Sequence, residues 1–395
     1  MTSGHTSSGT PLRLVEGPAR PPAASEERDT IVHIVGARPN FVKMAPVIAA
    51  LERRNIFRQV LVHTGQHYDQ SLNGDVLADL DFPEPDYLLG VGSGSHAEQT
   101  AAVLTACEEI FIHEQPLLVV VAGDVNSTLA AALALPKLCI PIAHIEAGLR
   151  SWDWLMPEEI NRVLTDRLSD TLFTHSPEAQ GNLAAEGISA TRVHYVGNTM
   201  IDTLRQSESR ARERAAWRDV GVEERTYILV TLHRPSNVDD LDRLGRITDS
   251  LVELARSSPV VFPIHPRTRV RLQDGGALDQ LTAAGVHCIE PQGYIDFLSL
   301  QSGAGAIITD SGGVQEEAAA LGVSCFTFRP NTERPVTLVH GTNTLLGDDP
   351  ADLVFVQPSP HDPTPCAVPL WDGHAGERVA DALIANYALH RSVGP

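Results

Sequence analysis

The chain has 395 residues, of which 43% are apolar, and its 30 basic and 50 acidic side chains give a formal net charge of −20. A chain of this length predicts two domains of ordinary size, each with its own core. The acidic balance and the lack of a basic run argue against nucleic acid or an anionic membrane as a partner. No apolar stretch approaches the roughly 18–20 residues that a transmembrane helix requires.

Neither the cysteines nor the N-terminus indicates secretion. Five scattered cysteines without a C-x-x-C pair suggest no disulfide framework and no zinc site. The first 28 residues are rich in Ser, Thr, Gly, Pro and charged side chains, and they lack the apolar segment of a signal peptide. We therefore expect a disordered tail over 1–28 and a cytoplasmic protein.

The first half alternates short β-branched runs with helical stretches. A run over 31–35 predicts a strand that ends at Gly36, and a helix is expected from Met44 to Arg54. The loop between them is not G-x-G-x-x-G, so a nicotinamide dinucleotide is not indicated. Its cations, Arg38 and Lys43, could meet an anion above the strand ends, although solvated surface charges explain them equally well.

Acidic residues follow two successive buried strands of this half. Asp124 follows one apolar run and Glu146 follows the next. Ligands of open α/β sheets bind at the carboxyl ends of the strands, so two acids in succession favour a site over simple helix caps. Glu158 and Glu159 open the next helix, where the helix dipole by itself accounts for acidic residues.

The second half repeats the alternation and contains a strand, a glycine turn and a helix over 306–321. The turn, Ser311-Gly312-Gly313, precedes a helix N-terminus, whose free N–H groups and positive partial charge suit a phosphate. Adjacent glycines let an anion approach the backbone. Either Glu316 or Glu317 could accept both hydroxyls of a ribose. An ordinary turn with a serine N-cap explains this segment equally well when it is taken alone.

These elements predict an α/β fold of two Rossmann-like domains that face a central cleft. The first half brings acids and cations to its strand ends, and the second brings the glycine turn and His233-Arg234. A nucleoside diphosphate bound to the second half would point its attached group at the carboxylates of the first.

In order and spacing, these segments closely resemble the non-hydrolysing UDP-N-acetylglucosamine 2-epimerases, from about Ile31 to the final helix. The segments that carry the resemblance are Gly36-Ala-Arg-Pro-Asn, Gly65-Gln-His, Gly123-Asp124, 144–150, 157–162, Gly197-Asn-Thr, His233-Arg234, 310–317 and Glu333-Arg-Pro. The resemblance implies a glycosyltransferase-B-type architecture. We expect an N-terminal domain over 29–196, a UDP-binding domain over 197–373, and a C-terminal helix within 374–395 that packs back on the N-terminal domain.

The resemblance also implies reversible C2 epimerisation of UDP-GlcNAc to UDP-ManNAc, with no metal and no other cofactor. The C2 proton is removed as UDP leaves C1, which gives a 2-acetamidoglucal; UDP then re-adds and C2 is reprotonated on the opposite face. No carbonyl is placed to stabilise a C2 carbanion, so proton loss must accompany departure of the leaving group. Carboxylates near the sugar can serve as base and acid.

Site residues follow from the resemblance by position. The catalytic candidates are Asp124, Glu146, Glu158 and His233, the last acting on the departing phosphate or assisting proton transfer; the sequence does not assign a carboxylate to either face of C2. The substrate-binding candidates are Arg38, Lys43, Gln292, Phe297, Ser311, Gly312, Gly313, Glu317 and Arg334. Amides of the glycine turn would hold the diphosphate, and Glu317 the ribose. A homodimer is implied by the family only.

The chain departs from the family pattern in several places. Ala37 and Asn40 stand where the family often has Thr and Glu, and Ser236 stands where it often has Glu. Some members bind a second, activating UDP-GlcNAc through Gln-His-x-Gln, but here Asp69 ends the segment 66–69. We therefore expect no requirement for an activating substrate molecule. The same changes leave open a modified UDP-sugar as substrate.

Three other readings share this fold. A hydrolysing epimerase would release ManNAc and UDP, but the loop around Pro39 resembles the non-hydrolysing class. A glycosyltransferase would need an acceptor cleft, whereas the spacing of the acids favours proton chemistry at the sugar. A catalytically inactive nucleotide-sugar sensor is disfavoured because the candidate carboxylates and His233 are all present.

Overall fold

The computed structural model describes residues 28–65, 77–359 and 367–388, together with the backbone of 15–16. Apart from that short piece and its last residue, the tail expected over 1–28 lies outside the described residues. So does the segment 66–69, on which the expectation about an activating substrate rests. Both expectations stay predictions.

The described strands and helices alternate along most of the chain. The strands are β1 Val15–Glu16, β2 Thr30–Val35, β3 Arg58–His63, β4 Tyr87–Leu88, β5 Leu118–Ala122, β6 Ile142–Ile145, β7 Thr171–Thr174, β8 Val193–Tyr195, β9 Ile228–Thr231, β10 Val260–Pro263, β11 His287–Ile289, β12 Ala306–Thr309, β13 Cys325–Thr327 and β14 Asn343–Leu345. The helices are α1 Arg38–Arg54, α2 His96–Glu114, α3 Asn126–Ala134, α4 Pro157–Leu168, α5 Pro177–Ala185, α6 Thr199–Arg214, α7 Trp217–Val220, α8 Pro235–Val238, α9 Leu241–Ala255, α10 Pro266–Asp274, α11 Ala277–Ala283, α12 Tyr294–Gly303, α13 Gly312–Leu321, α14 Pro335–Val339 and α15 Ala375–Leu383. Short 3₁₀ helices occupy Leu135–Leu138, Ala190–Arg192 and Pro350–Phe355, and a π turn over Ile384–Ala388 extends α15.

Two sheets organise the molecule. The first has eight strands in the order β1-β4-β3-β2-β5-β6-β7-β8, and only the short β1–β4 pair is antiparallel. The second has six strands in the order β11-β10-β9-β12-β13-β14, all parallel. The prediction of an α/β fold with two Rossmann-like halves is confirmed.

Local sequence explains why these elements form. Strand β5 is a run of Leu, Val and Ala that is buried along its whole length, as expected where helices cover both faces of a parallel sheet. Helix α2 begins with a capping box, in which the side chain of Ser95 accepts from the Glu98 amide while Glu98 accepts from the Ser95 amide. Helix α13 ends at Gly322, whose φ of 72° is the left-handed C-cap conformation.

The arrangement of strands places two edges opposite each other. β5 and β6 are neighbours in the first sheet, so their carboxyl ends deliver Asp124 and Glu146 side by side. β9 and β12 are neighbours in the second sheet, and they deliver His233 and Ser311. An ion pair between Glu146 and Arg334 joins the two edges. The candidate site therefore lies between the sheets.

The last helix returns to the first sheet. Asp202 in α6 accepts hydrogen bonds from the amides of Ala375 (3.0 Å) and Gly376 (2.7 Å) at the start of α15. Gly376 lies so close to α1 that a Cβ there would stand 2.8 Å from the Pro46 carbonyl oxygen. Glu377 pairs with Arg54 of α1. The domain limits at 196/197 and 373/374 stay a proposal.

None of the helices in the described part of the chain combines the length and the apolar character that crossing a membrane would require.

Candidate functional site

Glu146 is the centre of the site. It follows β6 directly, with a φ of 68°, a left-handed conformation that is costly for a residue other than glycine and that often marks functional positions. Its carboxylate is 7% exposed and lies between two cations. The ammonium of Lys43 contacts Oε2, and Nη2 of Arg334 donates to Oε1 over 2.9 Å.

Arg334 connects this carboxylate to two more. Its Nε lies 3.1 Å from Glu316 Oε2 and its Nη1 donates to Glu333. Burial alone would lower the pKa of Arg334, but the surrounding Glu316, Glu333 and Glu146 carboxylates raise it. In the same way burial alone would raise the pKa of Glu316, but Arg334 and His175 lower it to about 2. Arg334 and Glu316 therefore stay charged at any physiological pH.

A second ion-pair cluster surrounds Asp124. Gly123, with a φ of 65°, turns the chain out of β5, and Asp124 then pairs with Nη2 and Nε of Arg162, the Nε contact being 3.1 Å. Arg162 also donates to Glu159 over 2.8 Å. Burial alone would lower the pKa of Arg162, whereas the nearby Asp124, Glu333 and Glu159 raise it. Asp124 is 21% exposed, so its carboxylate remains accessible.

Glu158 and Glu159 differ in spite of their adjacency. Glu159 is buried and accepts hydrogen bonds from the amides of Ser151 (2.9 Å) and Trp152 (3.0 Å). Glu158 is exposed on the first turn of α4. The structure thus gives Glu159 a structural role, while the exposed side chain of Glu158 is accessible to a ligand.

The glycine turn forms at the end of β12, as predicted. Ser311 is the N-cap of α13, and its amide donates to Thr309 Oγ1 over 3.0 Å. A Cβ at Gly312 would lie 2.1 Å from Arg334 Nη1, so this glycine is required by the arginine. A Cβ at Gly313 would meet only Met200, at 3.6 Å from its sulfur. Packing against Arg334 therefore requires a glycine at position 312, whereas packing inside the protein does not require one at position 313.

Glu317 occupies a more isolated environment than Glu316. Gln301 Nε2 donates to it over 2.7 Å. Burial raises the pKa of Glu317 to about 7, against smaller effects of Gln301 and Arg38, which lower it.

Arg38, the first residue of α1, donates to the backbone oxygen of Gln292 over 3.2 Å and so reaches from the first sheet to the second. Phe297, on α12 just after Gln292, is half-buried against the core.

His233 is held by a buried carboxylate. Its Nδ1 lies 3.0 Å from Asp310 Oδ1, and Asp310 also accepts from the amides of His233 and Arg234 and from Asn237. Burial would raise the pKa of Asp310, but His233, Asn237 and the Arg234 amide lower it to about 2. The imidazole, 39% exposed, is thereby oriented at the cleft edge while remaining accessible.

Within the described part of the chain, no group of three or more His, Cys, Asp or Glu side chains is placed to hold a metal ion.

Comparison with known proteins decides the family. A family described as UDP-N-acetylglucosamine 2-epimerase matches this sequence over residues 49–384. The chain belongs to this family.

Relatives of this epimerase-family chain are similar over almost their whole length. The UDP-N-acetylglucosamine 2-epimerase of Methanocaldococcus jannaschii is 42% identical over 358 residues, which is 89% of this chain and 97% of the relative. The UDP-2,3-diacetamido-2,3-dideoxy-D-glucuronate 2-epimerase of Pseudomonas aeruginosa is 41% identical over 322 residues, 80% of this chain and 88% of the relative. A crystal structure of the M. jannaschii UDP-GlcNAc 2-epimerase in complex with UDP-GlcNAc and UDP has a TM-score of 0.84 and 40% identity, and the match covers 90% of this chain and 99% of that one.

Several residues of this epimerase-family site were not singled out from the sequence. They are Arg162, His175, Asp310, Glu316 in its ion-pair role, and Glu333. Arg162, Asp310 and Glu333 stand inside motif segments that carried the resemblance, and Arg162 lies one helical turn after Glu159, with which it pairs. That i, i+3 spacing was the available signal. The sequence contains no such signal for His175, because its partner Glu316 lies in the other half of the chain.

Proposed function

We propose that this chain interconverts UDP-GlcNAc and UDP-ManNAc by non-hydrolysing epimerisation at C2. The observation that carries the proposal is Glu146, a strained and buried carboxylate held between Lys43 and Arg334 at the point where the two sheets meet. Asp124 lies at the end of the adjacent strand. The family match and the relatives' activities support the same conclusion.

UDP would be held mainly by the second half of the molecule. Amides of Ser311, Gly312 and Gly313 at the start of α13 suit the diphosphate, because a helix N-terminus presents unpaired N–H groups and positive partial charge. Arg334 adds a permanent positive charge beside them. Glu317 would accept the ribose hydroxyls, and Arg38, Gln292 and Phe297 would line the remaining part of the nucleotide site.

The sugar would then project toward the first sheet. In our proposal a carboxylate takes the C2 proton, the C–H electron pair forms the C1=C2 bond, and the C1–O electron pair leaves with UDP. Lys43 and Arg334 favour the added negative charge on the departing diphosphate, with His233 oriented by Asp310 to assist. UDP re-adds at C1, and a second carboxylate delivers a proton to the opposite face of C2. Asp124, Glu146 and Glu158 are the groups for these transfers.

The exact UDP-sugar is a separate question. The chain is almost equally identical to a relative named for UDP-GlcNAc and to one named for a diacetamido glucuronate sugar. Overall identity therefore does not choose between the two. We place UDP-GlcNAc first because the M. jannaschii relative matches more of this chain.

Chromatography of the reaction products tests the proposal. The purified protein is incubated separately with UDP-GlcNAc and with UDP-2,3-diacetamido-2,3-dideoxyglucuronate, and the nucleotides are separated by anion exchange. Formation of UDP-ManNAc without free UDP supports the proposal. Free UDP with ManNAc would indicate a hydrolysing epimerase. Conversion of the diacetamido sugar alone would show that this sugar, and not UDP-GlcNAc, is the substrate. UDP binding without conversion of either sugar would indicate a nucleotide-sugar sensor.

We also propose a cytoplasmic homodimer. The dimer rests on the resemblance to the family, and the location on the scattered cysteines, of which those described are free thiols. Light scattering coupled to size-exclusion chromatography measures the mass in solution. A mass of twice 42.6 kDa supports the dimer, and the monomer mass contradicts it.

A further inference from the structure

His144 is a fully buried residue of β6 that the proposed reaction does not use. It stands opposite Val121 of β5 and Leu172 of β7 in the centre of the first sheet. Two residues later the chain reaches Glu146. Most buried histidines are neutral, because burial disfavours their charged form. The contacts of His144 indicate the opposite.

Both ring nitrogens of His144 face groups that accept hydrogen bonds. Nε2 lies 2.8 Å from the carbonyl oxygen of Gly123, which can only accept, so this nitrogen carries a hydrogen. Nδ1 lies 2.7 Å from Oδ1 of Asp166. If Asp166 is ionised, Nδ1 carries a hydrogen as well.

Hydrogen-bond donors surround the other carboxylate oxygen of Asp166. Its Oδ2 accepts the Gly148 amide over 3.0 Å and lies 2.8 Å from Nη1 of Arg150, and such donors favour the charged form of a carboxyl group. Arg150 pairs in turn with both oxygens of Glu186, over 2.6 and 2.8 Å. With a charged imidazole the four side chains sum to zero; three of them are fully buried, and Glu186, which is 27% exposed, reaches solvent.

We propose that His144 is a doubly protonated positioning residue, whose imidazolium ties the Gly123 carbonyl to Asp166. The Gly123 turn leads into Asp124, β6 leads into Glu146, and α4, which contains Asp166, also contains Glu158. One side chain thus fixes the three elements that deliver the candidate carboxylates. The predicted effect of His144 on turnover rests on the proposed function, whereas the predicted protonation state of its ring does not.

His33 provides a matched control in the same sheet. It is also fully buried, on β2, but its Nε2 faces only the amide oxygen of Gln59 (2.9 Å), and its Nδ1 has no hydrogen-bond partner among the described residues. Burial lowers the pKa of His33 to about 4, against a smaller effect of Gln59, which raises it. His33 therefore carries one ring hydrogen at neutral pH.

Nitrogen-15 NMR of the full-length protein with labelled histidine tests the protonation state. The His144 and His33 signals are assigned by their loss in His144→Gln and His33→Gln. At neutral pH both nitrogens of His144 should show imidazolium shifts with attached hydrogens, and His33 should show one protonated and one bare nitrogen. A bare nitrogen on His144 overturns the proposal, whatever substrate the protein uses.

Kinetics and binding test the positioning role. His144→Gln should lower kcat on the order of 100-fold, because a small displacement of catalytic groups is costly, while UDP binding by calorimetry stays close to wild type. His33→Gln should leave both close to wild type. If His144→Gln weakens UDP binding as much as kcat, or if its kcat matches that of His33→Gln, the role is structural only and the proposal fails.

Discussion

Arg334 and Glu146 are 188 positions apart in the sequence, yet their side chains meet at 2.9 Å, and each is only 7% exposed. Glu146 follows β6 of the first sheet, and Arg334 follows β13 of the second. The pair therefore joins the two sheets across the cleft between them. Because Arg334 also contacts Glu316 and Glu333, it neutralises acids from both halves of the molecule.

Removal of the Arg334 charge should affect both binding and stability. Arg334→Met leaves Glu146, Glu316 and Glu333 without their shared cation, and an unpaired buried charge costs about 3–5 kcal/mol. We expect a clearly lower melting temperature and a UDP dissociation constant raised at least on the order of 30-fold. Calorimetry with UDP and thermal unfolding measure the two effects.

Arg256→Met is the matched control for the loss of an arginine charge. Its ion pair with Glu253 is exposed, at 70% and 56%, so its loss should change stability by less than about 1 kcal/mol. Wild-type UDP affinity in Arg334→Met would contradict the role of Arg334 in the nucleotide site.

The adjacent acids of α4 should respond in opposite ways to the same substitution. Glu158→Gln changes an exposed side chain, so the melting temperature should hold while kcat falls by about 10²–10⁴-fold, the usual contribution of an acid or base. Glu159→Gln weakens the buried pair with Arg162 and should lower the melting temperature. Steady-state kinetics and thermal unfolding of both variants make the comparison, and unchanged kcat in Glu158→Gln would remove it from the catalytic set.

Alanine substitutions at the two glycines of the turn should have different effects, one on the stability of the unliganded protein and the other on UDP binding. Gly312→Ala forces a Cβ to 2.1 Å from Arg334, so we expect lower stability even without ligand. Gly313→Ala meets nothing closer than 3.6 Å and should leave the unliganded protein as stable as wild type. It should nevertheless weaken UDP, because the new methyl group lies where the diphosphate approaches the amides. Thermal unfolding with and without UDP distinguishes these outcomes; tight UDP binding by Gly313→Ala would contradict the proposed phosphate site.

Glu317 should make stability depend on pH. Burial raises its pKa from the ordinary 4.5 to about 7, so the folded state favours the neutral acid. The resulting stability is complete below the pKa of the unfolded chain, near 4.5, and is lost as pH rises through about 7. The loss amounts to about 3 kcal/mol at most.

Glu317→Gln mimics the neutral acid at every pH. The melting temperature of wild type minus that of Glu317→Gln should therefore be larger at pH 5 than at pH 8. Asp202, whose pKa burial raises to about 6 against the amides of Gly376 and Ala375, is present in both proteins, so its contribution cancels. A difference that stays constant or grows with pH would contradict a buried, neutral Glu317.

Much of the fold could be predicted because strand and helix periodicity are local properties. The runs before Asp124 and Glu146 gave adjacent parallel strands, and such strands end on one edge of a sheet. The glycine turn at Ser311 was predictable for the same reason, since a β-branched run and a helix former flank it.

The ion-pair partners could not be predicted from those patterns. Glu146 meets Arg334 only because two sheets dock, and no local pattern encodes a contact between their halves. Neighbouring acids posed a second difficulty, because successive residues of a helix point in different directions. Which of Glu158 and Glu159, or of Glu316 and Glu317, is held by internal ion pairs depends on how the helix packs.

The most direct test of the proposed reaction is proton NMR of the purified protein with UDP-GlcNAc in deuterated water. Proton abstraction at C2 with return from solvent predicts UDP-ManNAc that carries deuterium at C2, deuterium at C2 of the recovered UDP-GlcNAc, and no free ManNAc. UDP-ManNAc that retains the original C2 hydrogen would contradict the elimination of UDP through proton loss at C2, and free ManNAc with an equal amount of UDP would contradict the non-hydrolysing reaction.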